Sequence, residues 1–151
     1  MKKYIATEGK RGRIFMCRLT PGQDVIAGIT TFLKEKKVVA GFIPVVMGGF
    51  KKVTLTSMRP GANENQPVDI TKSYEEPLEY FGQGTIAQHN GELSLHIHVT
   101  AAREGNSSLA GHLVSGEVVL VTEIVVIEIT GVEITREADP EVFNLPLLKF
   151  K

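Results

Sequence analysis

Apolar side chains recur at helical spacing in only one stretch of this chain. Val25, Ile26, Ile29, Phe32 and Leu33 form a stripe, and Lys34, Glu35 and Lys36 crowd its polar end. Thr20 as cap, Pro21 at the first helical position and Gln23 three residues after Thr20 make a capping-box pattern. A helix of about four turns is therefore expected to start at Thr20-Pro21. Nearly everything else carries the short apolar or alternating runs of strands: Arg13 to Leu19 before the helix, then Val38 to Met47 and Val53 to Met58 on either side of Gly48-Gly49. Those glycines fit a bend or a close approach between strands. The polar stretch Arg59 to Glu76, with Pro60, Gly61, Asn63, Asn65 and Pro67, reads as a long mobile or partner-contacting loop.

Asn90-Gly91 is the preferred dipeptide of a two-residue hairpin turn and fixes a register. Paired residues should have numbers that sum to 181. Leu93, Leu95, Ile97 and Val99 then face one way, whereas Ser94, His96, His98 and Thr100 face the other. After a Gly-Asn-Ser-Ser loop, Ala110-Gly111-His112-Leu113 leads to Glu117–Thr130, apolar at almost every position as in a central strand covered on both faces. Glu123 interrupts that run and must find a partner or carry a raised pKa. The tail, with Pro140 and Pro146, is expected to pack on the body as an edge. The expected fold is α+β: one domain over residues 1–151, a mainly antiparallel sheet and one principal amphipathic helix.

Composition narrows the setting. With 42% hydrophobic and 23% charged residues in 151, the chain can bury a core unaided. Its one cysteine, Cys17, can form no internal disulfide and is expected as a buried apolar group. No apolar run reaches membrane-spanning length and no signal-peptide core precedes the first strand, so a cytoplasmic protein with no membrane partner is expected. Without secretion, Asn106-Ser107-Ser108 carries no meaning as a glycosylation acceptor. The net charge is zero, yet residues 1–59 carry 12 basic and 3 acidic groups, and the remainder 5 and 14. The two halves could pair within one fold, complement each other between subunits, or present the basic half to an anionic partner. Zero net charge argues against broad attraction to DNA.

The histidines carry the chemistry. His96 and His98, two apart on a strand, project from one face with Cβ atoms roughly 6–7 Å apart, close enough for two imidazoles to share an ion. His112, after the permissive Gly111, is the candidate third ligand. Three neutral histidines leave coordination positions open for water, as in catalytic zinc sites. The alternative is a pair of solvated strand histidines. Glu123 is a candidate second-shell partner of a ligand histidine or a general base, against a carboxylate satisfied by Arg or backbone N–H. His89, beside the turn, is expected to be exposed.

Four ordered segments resemble the PPC domain (plant-and-prokaryote conserved), which follows AT-hooks in certain plant nuclear proteins. They are Arg18-Leu19-Thr20-Pro21-Gly22-Gln23-Asp24-Val25, Met47 to Leu55, Gly84-Thr85-Ile86 with Leu95-His96-Ile97-His98-Val99, and Gly111-His112-Leu113 with Val121 to Val125. The resemblance covers about residues 13–143. It implies an α+β fold that forms a homotrimer, and in stand-alone prokaryotic members a divalent transition metal, zinc foremost, bound by the residues matching His96, His98 and His112. Two departures stand out. Ala110 replaces the first of two glycines before the third histidine, and Arg11-Gly12-Arg13 lacks the flanking proline of an AT-hook. The expected function is a metal-binding trimer of unassigned activity. The alternatives are a DNA-binding regulator and a trimeric protein-interaction module.

Overall fold

A computed structural model of the chain describes residues 4–60 and 67–151. Its elements in order are β1 (Lys10–Leu19), α1 (Val25–Lys36), β2 (Gly41–Pro60), β3 (Pro67–Tyr74), β4 (Leu78–His89), β5 (Glu92–Ala102), β6 (Ser108–Thr130), β7 (Ile134–Asp139) and β8 (Leu145–Phe150). Two short 3-10 turns follow β5 and β7.

The helix begins later than the capping-box pattern predicts. Pro21 and Gly22 are the central residues of a turn: Gly22 has φ +84°, and the Gln23 N–H donates to the Thr20 carbonyl at 3.3 Å. Proline followed by glycine at positive φ is the signature of a type II turn, and it outcompetes the first helical turn. Gln23 Oε1 still accepts from the Thr20 N–H at 2.8 Å. The cap itself is Asp24, whose side chain accepts from the Ala27 N–H at 2.9 Å. Its other carboxylate oxygen accepts from the Gly116 N–H at 2.9 Å, which ties the helix entry to β6. Val25, Ile29 and Leu33, spaced by four, are the buried stripe.

β2 and β6 are long enough, at 20 and 23 residues, to bend and pair with several partners. β2 pairs antiparallel with β3, β4 and β6, β6 with β1 and β5, and β4 with β5. The circuit β2–β6–β5–β4–β2 is thus closed, which removes free edges around the core. The sheet is mainly antiparallel; β4 and β7 join in parallel through Gln88 and Thr135, and β8 completes the edge beside β7. Phe50 is fully buried and stacks on Tyr80 at a centroid distance of 3.6 Å.

The predicted hairpin is present: Gln83 pairs with His98 and Thr85 with His96, numbers that sum to 181, and Asn90 and Gly91 both take positive φ. The Arg59–Glu76 loop is not. Most of that segment belongs to β2 and β3, which pair from Val53–Tyr74 to Pro60–Pro67; residues 61–66 lie outside the described residues. β6 differs as well. One face is buried through Val118, Thr122, Ile124 and Val126, while the other stays half-open and leaves Glu123 exposed. Cys17 is half-buried against the core.

Part of the charge asymmetry is absorbed inside the fold. Arg13 pairs with Glu128, Lys34 with Glu92, and Lys51 and Lys52 with Glu117, each joining the basic first half to the acidic second half.

Candidate metal centre

His96 and His98 lie on the same face of β5, as their spacing dictates, and His98 is the direct cross-strand partner of His112 on β6. Gly111, next to His112, lets β6 lie close against β2: a Cβ there would lie 2.9 Å from the Thr56 carbonyl oxygen. The three rings converge with centroids 5.0, 5.0 and 5.5 Å apart. One nitrogen from each falls within 4.8 Å of the other two.

The donor set suits a metal. A divalent ion bound by imidazoles at about 2.0–2.1 Å holds its ligand nitrogens roughly 3–3.4 Å apart. His96 Nε2 and His98 Nε2 are 2.9 Å apart, and modest ring rotation brings in the third. At 2.9 Å both nitrogens cannot carry protons, so one ring donates to the other, and a cation would take the place of the shared proton. Burial first, then the positive field of Arg136 and the neighbouring histidines, pushes His96 down to about 4. Burial, His98 and Arg136 lower His112, with Asp69 opposing them. Rings that stay neutral at physiological pH are in the form that binds metal.

The histidines open into a hollow of about 640 Å³ shared with Met58, Asp69, Leu95, Arg136 and Leu147. Glu123 is not part of it. It lies eleven positions further along β6 (123 − 112), exposed, in register with Met47 and Arg18, and it lines a different depression. The second-shell role expected for it is therefore corrected: within this chain it does not reach the histidines. His89 is half-buried rather than exposed, with Nδ1 2.8 Å from the Arg136 carbonyl oxygen, and serves to join β4 to β7.

Sequence reasoning missed Arg136. It shares one face of β7 with the buried Ile134. Arg136 is only 7% exposed. Its Nη2 donates to Thr85 Oγ1 at 2.7 Å, and Thr85 is the cross-strand partner of His96.

With this geometry in place, comparison with known proteins fixes the family. The chain matches the Plants and Prokaryotes Conserved (PCC) domain over residues 6–130 and belongs to that family. A metal-containing protein from Archaeoglobus fulgidus superposes with a TM-score of 0.84 at 28% identity, covering 97% of this chain and 99% of that one. A plant- and prokaryote-conserved (PPC) protein from Pyrococcus horikoshii gives 0.80 at 23% identity over 95% and 97%. A Bacteroides thetaiotaomicron protein whose name proposes DNA binding gives 0.76 at 24% over 95% and 96%. The bifunctional protein GlmU of Synechococcus sp. (strain JA-3-3Ab) is 27% identical over 138 residues, 89% of this chain; the chain spans about a fifth of that protein's length, 20%. Among the described residues, no helix is long and apolar enough to cross a membrane.

Proposed function

We propose that this protein is a cytoplasmic homotrimer that holds a divalent transition metal, zinc foremost, on His96, His98 and His112. The observation that carries the reading is the convergence of three imidazole nitrogens within 4.8 Å of one another. The metal-containing A. fulgidus relative supports it. Three imidazole ligands leave open positions, where a bound metal supplies Lewis acidity and lowers the pKa of water. The chain's own residues orient the rings through the β5–β6 register, and burial favours the neutral form of His96 and His112. The reaction, if any, is unassigned.

The trimer reading is supported by the outward sheet face. Ile14, Met16, Phe42, Met47 and Phe81 are exposed there; Ile127 pairs with both Ile14 and Phe42, Val125 with Met16, and Met47 with Phe81, while Glu123 stands between Arg18 and Met47. Met16 is 84% and Phe81 66% exposed, and contiguous apolar surface of this kind marks an interface. DNA binding is the second reading, resting on relatives named for it. The ion pairs that tie Arg13, Lys34, Lys51 and Lys52 to acidic partners count against a free basic face.

Elemental analysis of tag-free protein, purified without chelator, should find about one transition metal per chain. The His96→Ala/His98→Ala/His112→Ala variant should lose it. Metal retained by that variant, with its fold intact by circular dichroism, would overturn the site.

A further inference from the structure

The hollow beside the histidines contains an incompletely satisfied cation. Arg136 is more than nine-tenths buried, yet no carboxylate among the described residues lies within ion-pair distance of it. A guanidinium has five N–H donors. Here Nη2 donates to Thr85 Oγ1 at 2.7 Å, Nη1 donates to the Pro146 carbonyl at a long 3.4 Å, and the buried Nε–H has no partner among the described residues. A buried charge left this way is costly, and native structures normally compensate it with an anion.

We infer that the hollow receives a small organic carboxylate, its charge held between Arg136 and the histidine-bound metal. This rests on the metal reading of the three histidines, because the ion supplies the second positive pole. Several features select a carboxylate. The planar fork of arginine matches its two oxygens. Met58, Leu95, Leu145 and Leu147 give the hollow apolar walls that suit a carbon skeleton, and about 640 Å³ is ample for one.

Isothermal titration of the metal-containing protein with propionate, propionamide and inorganic phosphate tests the inference. Propionate should bind at least tenfold more tightly than propionamide and more tightly than phosphate. R136Q should weaken propionate binding about tenfold or more while elemental analysis shows its metal unchanged, and R136K should recover part of the affinity. Propionate binding that is equal in wild type and R136Q, or equal to propionamide, would overturn the proposal with the metal reading intact. Tighter phosphate binding would overturn the carboxylate assignment. Absence of metal from the wild-type protein would instead sink the metal reading, and this inference with it. Should R136Q fail to fold, the wild-type comparison of propionate with propionamide decides.

Discussion

A hydrogen bond that crosses a whole strand sets up a sharp test of the packing. Gly48 of β2 is in register with Tyr80 of β4 on one side and Thr122 of β6 on the other. With no side chain at 48, the Tyr80 hydroxyl reaches over β2 to Thr122 Oγ1 at 2.9 Å, and both residues are buried. Burial keeps the phenol neutral by raising its pKa. Y80F should leave the Thr122 hydroxyl unpaired at full burial, at a cost of about 1–3 kcal/mol, and T122V should do the same to the phenol. The double variant removes both polar groups together and so loses only the net bond, about 0.5–1.5 kcal/mol. The sum of the two single costs should therefore exceed the double by about 3 kcal/mol, read from urea unfolding at 25 °C with unchanged m-values. Costs that add to within about 0.5 kcal/mol would refute the coupling. G48A gives a second reading. Its Cβ would stand 2.1 Å from the Val121 carbonyl oxygen and 2.8 Å from Thr122 Oγ1, so it should cost about 3 kcal/mol or more. Because the closer clash is with backbone, that loss should persist in the Y80F/T122V background.

Acid stability and assembly give two more predictions. Glu128, 9% exposed, accepts from Arg13 Nε at 2.7 Å, Nη2 at 2.6 Å and the backbone N–H at 3.1 Å, which together hold its carboxyl at about 2. A carboxyl below its ordinary 4.5 in the folded state contributes stability that is present above pH 4.5 and is lost as pH falls toward 2. E128Q should flatten the stability profile across that window in acid-titration melts; an unchanged slope would assign acid unfolding elsewhere. F81R, on the outward sheet face, should convert the proposed trimer to folded monomers by light scattering, and an unchanged mass would exclude that face as the interface.

How legible the molecule was depends on where its constraints lie. The β4–β5 hairpin could be read to the residue because Asn90-Gly91 fixes its own register, and that register in turn fixes the face of His96 and His98. The helix stripe was legible for the same local reason, but its start was not, since two residue pairs competed and Pro21-Gly22 settled into a turn. β3 was hidden because it pairs with β2 alone, and because its short alternation of Val68, Ile70 and Tyr74 with Asp69, Thr71 and Ser73 is broken by Lys72 and follows a Pro-, Gly- and Asn-rich stretch. Glu123 was misread through its neighbours. Apolar residues on both faces of β6 imply cover on both faces, yet within one chain only the helix side is covered. Arg136 could not be placed from sequence because its burial depends on β7 joining β4 and on the chain closing over it at Pro146.

The same absence of side chains that allows the Tyr80–Thr122 bond also holds the histidines in place. A Cβ at Gly84 or Gly82 of β4 would lie 2.5 Å from the His96 carbonyl oxygen or 2.2 Å from that of His98, so β4 can lie this close to the histidine strand only because both positions are bare. Gly111 does the same between β6 and β2 beside His112. Strands drawn this close form the closed circuit β2–β6–β5–β4, and the three rings stand on two adjacent members of that circuit with Thr85, the anchor of Arg136, on a third. The imidazoles are therefore set on paired strands rather than on loops, so ring positions follow backbone register with little freedom left to lose. In this chain the glycines thus set the strand spacing that makes the three histidines a single site.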